Sequence, residues 1–309
     1  MTRGNPILTL CAFSCFIGCL MGAFPAYAQP QQMGPLVVSL NGGFAAQTES
    51  DLKDTEGAFS VNRWFLAAGV DYVWDRRTSL GISFGAGEST YDFTGLTANG
   101  GEAPWGTAED QRLSLIGRFG FGETGSVIII PSYRYNGEKD SDSGEARTWG
   151  LLAGAAWRIS EDLTIGPGIG VFSQIEDSSR VFPILVIDWN ITERWSLSTG
   201  RGLAASQGPG LTLSYQFRPT WSFGLAGRYE DVRFRLDETG PVPNGVGRDK
   251  SFPMVLSAAW DPTPKVGLSL FAGAEIAGEL ELQDPDGVTV EKSDYDVAPL
   301  LGFSFNVKF

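Results

Sequence analysis

The chain has 309 residues with 23 basic and 36 acidic side chains, a formal net charge of −13. Glycine is abundant at 40 residues, aromatic residues make up 12%, and there is no histidine. An acidic surface repels phosphates, so this balance argues against nucleic acid as a partner. The three cysteines are Cys11, Cys15 and Cys19. The cysteine-free remainder suits a chain that crosses an oxidising compartment unfolded, where stray thiols would pair wrongly.

The first 28 residues have the organisation of an export signal. Arg3 precedes an apolar run over residues 7–21, and an Ala-Tyr-Ala tripeptide ends at Ala28. These are the three parts of a cleaved secretory signal peptide, so we predict cleavage after Ala28. A membrane anchor is a weaker alternative because the run is short and interrupted. A lipoprotein is another alternative, since Cys19 closes a loose lipobox.

The rest of the chain is predicted to consist of strands. Residues 29–34 are predicted as a short periplasmic N-terminal segment, and 35–309 as one β domain. No later stretch approaches the roughly 18 apolar residues of a transmembrane helix. We predict fourteen strands, at 35–47, 59–74, 78–92, 109–121, 126–136, 146–159, 163–174, 181–190, 195–202, 210–217, 220–235, 250–260, 265–282 and 295–309. Most have the length of about 9–11 residues, or more, that a tilted strand needs to cross a bilayer.

Apolar and polar side chains alternate within these segments. In 109–121, for example, Leu113 and Leu115 alternate with Arg112 and Ser114. The apolar set carries almost no charge, as expected of a lipid-facing surface, where an arginine at mid-bilayer costs about 2–4 kcal/mol. The pattern is weaker in 126–136, which is apolar on both faces over residues 127–130.

The connections and the tryptophans distinguish the two ends of the predicted strands. Tight turns rich in Asp, Gly and Pro alternate with longer, mostly acidic connections. Tryptophan favours a membrane interface because its ring is apolar and its N–H needs a polar partner. Six tryptophans adjoin the tight turns and are predicted to form one aromatic girdle: Trp74, Trp157, Trp189, Trp195, Trp221 and Trp260. Trp64, Trp149 and Tyr91 are predicted to mark the other interface, and Trp105 to lie in a loop.

The segment 295–309 has one wholly apolar and aromatic face, and its last residue is Phe309. It resembles the closing strand of bacterial outer-membrane β-barrels, in which a terminal Phe is the assembly signal. With the turn asymmetry and the girdle, the whole of 35–309 resembles that superfamily, most closely a monomeric porin-type barrel, although no family-specific motif is present. A soluble β-sandwich is the alternative.

The resemblance implies an all-β fold, a transmembrane antiparallel up-and-down β-barrel of about 14 strands, with 12 possible. It implies an outer-membrane location, with the girdle on the periplasmic side. It also implies lipid and the barrel-assembly machinery as partners, the latter through the C-terminal strand, and it favours a monomer. The barrel enzymes of this membrane use a histidine for catalysis. Because this chain has none, we predict no enzymatic activity and no cofactor.

Alternation places a set of charged side chains towards the barrel lumen. The candidates are Arg63, Arg112, Arg118, Arg134, Arg158, Arg228, Asp71, Asp188, Glu230, Glu275, Glu279 and Asp296. In a ring of fourteen strands, the arginines of strands 4–6 would face the glutamates of strand 13 across the lumen. Such opposed charges would either orient solutes in a water-filled pore or pair within a packed interior. Both possibilities remain open. Barrels of eight strands have a filled interior, barrels of 16–18 strands leave a channel, and fourteen strands lie between these numbers.

These observations predict an outer-membrane porin-like channel for passive diffusion of small hydrophilic solutes or ions. The alternative is a non-conducting barrel with a structural or adhesive role through its acidic loops. A transporter of hydrophobic solutes would need an apolar lumen and an N-terminal plug.

The acidic stretches 140–145 and 284–287 could supply oxygen ligands to calcium, but exposed acidic loops are usually only solvated, and we predict no metal site.

Overall fold

A computed structural model of the protein describes residues 35–141, 144–199 and 210–309. The predicted signal peptide and the segment 29–34 lie outside these residues. No helix in the described part of the chain is long and apolar enough to cross a membrane.

The described residues form sixteen strands and one short 3-10 helix, Ala98–Gly101. The strands are β1 Leu36–Asp51, β2 Ala58–Val73, β3 Ser79–Thr94, β4 Thr107–Phe121, β5 Gly125–Glu138, β6 Arg147–Arg158, β7 Leu163–Gln174, β8 Asp177–Asn190, β9 Trp195–Thr199, β10 Gly210–Arg218, β11 Trp221–Arg228, β12 Glu230–Arg235, β13 Val246–Thr263, β14 Val266–Gln283, β15 Thr289–Asp294 and β16 Ala298–Lys308.

The strands close into an antiparallel barrel. Each of β1 to β10 pairs with the next strand, β11 and β12 both pair with β13, and the ring continues from β13 to β14, β14 to β16, and β16 to β1. The closing register runs from Ser39 opposite Lys308 to Gln47 opposite Leu300. Since β12 continues β11 after one residue, and β15 leads into β16, the described wall has fourteen strands. The predicted fold class is therefore confirmed, with fourteen strands and not twelve.

The predicted strand bounds differ from the observed ones mainly at the ends with long loops. β13 begins four residues earlier than predicted, and β8 also begins four residues earlier. The polar residues there continue the hydrogen-bonded ladder beyond the apolar part of the wall. Of the predicted strand 195–202, the described part ends at Thr199.

The outer face of the wall is an apolar belt. Large apolar side chains project outward from successive strands, among them Leu80, Ile82 and Phe84 of β3. All six tryptophans of the predicted girdle are exposed and lie beside the short turns. Trp221 and Trp260 are cross-strand partners whose rings stack with centroids 6.1 Å apart. An apolar belt with aromatic residues at one rim is the outer surface of a membrane barrel.

The two-sided apolar character of β5 has a structural cause. Ile129 faces outward, whereas Ile128 and Ile130 are buried inside the barrel. They pack there with Ile116 of β4 and Leu152 of β6. The apolar residues of this strand therefore serve both the belt and a small interior cluster.

Introducing an arginine into the apolar belt tests whether the belt faces lipid. Leu256 on β13 is 67% exposed and lies between Trp260 and the charged Lys250. We expect Leu256→Arg to lower the free energy of unfolding from lipid vesicles by about 2–4 kcal/mol, because the charge must be buried in hydrocarbon. The measurement is a urea titration followed by tryptophan fluorescence.

The matched control is Val290→Arg on β15, which also replaces an exposed aliphatic side chain by arginine but lies beyond the belt. It should leave the unfolding free energy nearly unchanged. Equal effects of the two substitutions would contradict a lipid-facing belt.

Candidate lumen site

Strand β12 stays paired with β13 along all six of its residues, and from there it reaches across the barrel interior. Arg235 at its end pairs in parallel with Gly137 of β5, a strand on the other side of the ring. Phe234 and Arg235 are accordingly 1% and 0% exposed, although neighbouring residues of a wall strand would alternate between lipid and lumen. The two faces of β12 thus look into two compartments, both at the end of the barrel that carries the long loops.

The first compartment is filled by an aromatic cluster. Trp105 packs edge-to-face on Phe234, with centroids 5.5 Å apart, and on Tyr91, at 5.8 Å. Such T-shaped contacts are preferred between aromatic rings. Apolar residues of β2, β14 and the β15–β16 junction complete the cluster.

Two of these aromatic residues correct the sequence predictions. Tyr91 is predicted to mark the interface opposite the girdle, but β3 points its even-numbered residues outward, such as Phe84, so the odd-numbered Tyr91 faces inward. Trp105 precedes β4, as predicted, but it reaches into the interior and is almost fully buried.

A buried ion cluster lies beside the aromatic cluster. The Arg63 guanidinium contacts Asp249 Oδ2 and Glu275 Oε1, both at 2.9 Å. Tyr91 donates a hydrogen bond to Asp249 at 3.0 Å, and Tyr295 donates one to Glu275 at 3.1 Å. The cluster ties β2 and β3 to β13, β14 and the β15–β16 junction. One arginine between two carboxylates leaves it with an excess of negative charge.

Sequence reasoning placed Arg63, Glu275 and Glu230 towards the lumen, and all three line one small interior space in the structure. It missed Asp249, because the predicted strand began at residue 250. The inward alternation of β13 continues past that point, and Asp249 lies on the same face as Pro253 and Val255.

The predicted opposition of the β4–β6 arginines to Glu275 and Glu279 is absent among the described residues. Glu275 has Arg63 of β2 as its cation, and β12 crosses the interior between the two sides. Arg112 and Arg134 are instead direct neighbours on β4 and β5.

The other candidates occupy several environments. Arg228 is buried, whereas Asp71, Arg118 and Asp188 are half-buried. Arg158 is exposed at the end of β6 next to a short turn.

Glu279 lies on the outer side of the wall, contrary to prediction. β14 has a bulge at Ala277, whose φ is +51°, and the register to β13 shifts there. One extra residue reverses which side chains face inward. Glu279 consequently contacts Lys250, and Lys292 at 2.6 Å.

Asp296 also faces outward, contrary to prediction. It is 61% exposed and pairs with Lys53 at 3.3 Å. The ladder is interrupted between β15 and β16, so the alternation of β16 does not extend back to this residue. Tyr295 takes the inward position.

The second compartment contains a cavity of about 220 Å³. It is lined by residues of β5 to β8 and, from the crossing strand, by Asp231 and Arg233 together with the preceding Tyr229. Phe172 and Phe182 form an apolar wall, with their rings nearly parallel and centroids 5.6 Å apart. Of the predicted lumen residues, only Arg134 lines this cavity. The sequence predicts a loop at 175–180 and a single wall strand at 220–235, so it does not predict the rest of the site.

Three arginines surround these rings. The Arg134 guanidinium lies 5.6 Å from the centroid of Phe172. Arg180 lies 5.5 Å from the Tyr229 ring and forms an ion pair with Asp231. Arg233 contacts Asp177 Oδ2 at 2.8 Å and donates to the Ile175 carbonyl at 3.3 Å. Cationic groups over aromatic faces combine electrostatic and apolar contact in one site.

The described residues contain no group of three or more side chains placed to hold a metal ion. Of the two acidic stretches, 140–145 is described only in part. In the other, the Asp284 carboxylate accepts hydrogen bonds from the backbone of Asp286 at 3.0 Å and of Val288 at 2.8 Å. This carboxylate stabilises its own turn.

A closed antiparallel barrel with an apolar belt, an aromatic rim and charges inside has the architecture of bacterial outer-membrane β-barrels. Fold comparison agrees. An outer-membrane channel from Pseudomonas putida F1 superposes with a TM-score of 0.50 at 11% identity, over 91% of this chain and 100% of that one. This confirms the resemblance to outer-membrane barrels at the level of the fold.

More distant matches include a FadL homologue from Pseudomonas aeruginosa, with a TM-score of 0.45, 12% identity, and 89% and 90% coverage of the two chains. Another is the translocator domain of the autotransporter NalP from Neisseria meningitidis, with a TM-score of 0.40, 13% identity and 90% coverage of both chains. No protein-family model and no curated protein matches the sequence.

Proposed function

We propose that the protein is an outer-membrane channel for small solutes, with the solute path on the β5–β8 side of the lumen. The observation that carries this proposal is the division of the interior by β12. One compartment is filled by the aromatic cluster, and the other keeps a cavity lined by polar, charged and aromatic side chains. Solutes would pass the narrow level of the barrel through this cavity.

The path is narrower than the expected porin for hydrophilic solutes would require. A general diffusion pore needs a continuous water-filled lumen, whereas part of this interior is packed. The cavity also offers apolar ring faces, which favour solutes with some apolar surface. We therefore propose a selective channel. The Pseudomonas putida neighbour is itself described as an outer-membrane channel.

The outer-membrane location and the lipid partner are part of the same proposal and are supported by the apolar belt. Recognition of Phe309 and the C-terminal strand by the barrel-assembly machinery stays a prediction. The monomeric state also stays a prediction.

Single-channel recording in a planar bilayer tests the proposal. The full chain, produced in a Gram-negative host and purified in detergent, should give discrete current steps smaller than those of an open porin, because the packed compartment narrows the path. Heat-modifiable gel mobility provides the control that the sample is folded. Silence from a folded sample would contradict the channel and favour a non-conducting barrel that acts through its acidic loops.

A further inference from the structure

We propose that the cavity binds small monocarboxylates that carry one ring or a short alkyl chain. This inference rests on the proposed function, since the cavity is the proposed solute path, and it names the class of solute. Three properties of the cavity support it: its charge, its aromatic wall and its size.

The charge of the cavity is positive in a strongly acidic protein. Arg134, Arg180 and Arg233 line it against the single carboxylate of Asp231. Counting Asp177, the partner of Arg233 at the rim, an excess of one positive charge remains. The chain as a whole carries −13, so average composition does not explain this excess. One monoanion would neutralise it.

Strand β4, which neighbours the cavity, provides a second reason for an anion to bind beside Arg134. Arg112 of β4 lies directly opposite Arg134 of β5 in the register, with Asp110 on the same face at 3.8 Å from Arg112. Like charges directly opposite each other destabilise a sheet. A bound carboxylate near Arg134 would relieve this repulsion.

Arginine also has the geometry for the proposed ligand. Its planar guanidinium presents paired N–H donors that match the two oxygens of a carboxylate. Arg233 is 8% exposed, and its Nε has no hydrogen-bond partner among the described residues. A buried donor of this kind favours an oxygen ligand.

The aromatic wall provides the contact for the apolar part of the ligand. Arg134 stands over Phe172, which stacks on Phe182. A ligand with its carboxylate on Arg134 would have these phenylalanines within reach of its ring or chain. Thr148 and Asn136 add polar groups at the charged end.

The volume limits the size of the ligand. Sites for drug-sized molecules measure about 300–1,000 Å³, so the cavity of about 220 Å³ takes something smaller. An engineered apolar cavity of about 150 Å³ in another protein binds benzene. One ring with a carboxylate fits between these limits.

The charge also separates this class from other solutes. A neutral hydrocarbon would not neutralise the excess positive charge of the cavity and would displace water from its polar groups at a cost. An organic cation would be repelled by the excess positive charge. Acetate would provide the negative charge but makes no apolar contact with the aromatic wall.

Isothermal titration of the detergent-purified full chain with benzoate tests the inference. Benzoate should bind at least tenfold more tightly than neutral benzamide, cationic benzylamine or acetate, since only benzoate combines charge-assisted hydrogen bonds to arginine with contact between its ring and the aromatic wall. This comparison uses the wild-type protein and does not depend on any variant folding. Equal affinities for benzoate and benzamide, or no benzoate binding, would overturn the inference.

Variants locate the site. Arg134→Gln should weaken benzoate binding at least tenfold, whereas Arg158→Gln, the same change at an exposed position on β6, should leave it unchanged. Both must show folded gel mobility. Equal affinity of the two variants would overturn the assignment to this cavity.

Failure of this inference and failure of the proposed function are distinguishable. Current steps without benzoate binding would retain the channel and reject the carboxylate class. Binding that depends on Arg134, without current steps, would support the site and reject the channel.

Discussion

Replacing Arg63 by methionine is expected to lower the free energy of unfolding of the barrel by about 3–5 kcal/mol, because it leaves buried carboxylates without their cation. The Asp249 and Glu275 side chains are each only 4% exposed. Their remaining hydrogen bonds from the tyrosines do not supply positive charge. The effect is measured by urea unfolding in lipid vesicles, followed by tryptophan fluorescence.

Two further variants separate the charge from the packing of Arg63. Arg63→Lys keeps the charge as a single point that cannot span both carboxylates, so it should be intermediate. Combining Arg63→Met with Asp249→Asn and Glu275→Gln removes the unpaired charges and should recover most of the loss. An Arg63→Met barrel that unfolds at the wild-type urea concentration would contradict the role of this cluster.

The wall of the barrel could be predicted from the sequence because its determinants are local. A strand that faces lipid must keep charge off one side, and this is visible within a few residues, as in Leu113 and Leu115. The same holds for the short turns and the tryptophans beside them. The count of fourteen strands and most of their bounds follow from these signals.

The interior could not be predicted in the same way, because its geometry depends on contacts between distant parts of the chain. β12 alternates like a wall strand in sequence, and only the pairing of Arg235 with Gly137 shows that it crosses the lumen. Because β12 crosses the lumen, both of its faces lie inside the barrel.

Single-residue irregularities had a comparable effect on individual side chains. The bulge at Ala277 turned Glu279 outward, and the interruption before β16 turned Asp296 outward while Tyr295 faces inward. The first irregularity includes Gly278, directly after Ala277. An isolated glycine within a strand often marks a bulge, and strict alternation overlooks that signal.

Removing the aromatic cluster is expected to open the filled compartment. In the double variant Trp105→Ala with Phe234→Ala, the two rings that contact each other at 5.5 Å are both lost. Each loss of a buried aromatic side chain costs about 3–5 kcal/mol in a packed core, so the cluster should no longer hold β12 across the lumen. Single-channel conductance should rise several-fold, because a second water-filled path then lies beside the cavity.

Trp149→Ala is the matched control, since Trp149 is 51% exposed on the outer face and its loss leaves the interior intact. Its conductance should equal that of the wild type. If the double variant is folded and its conductance is also unchanged, then the aromatic cluster does not narrow the conducting path, and the division of the lumen by β12 would lose its functional meaning. A rise confined to the double variant would instead show that interior packing, and not the width of the ring of strands, limits the current.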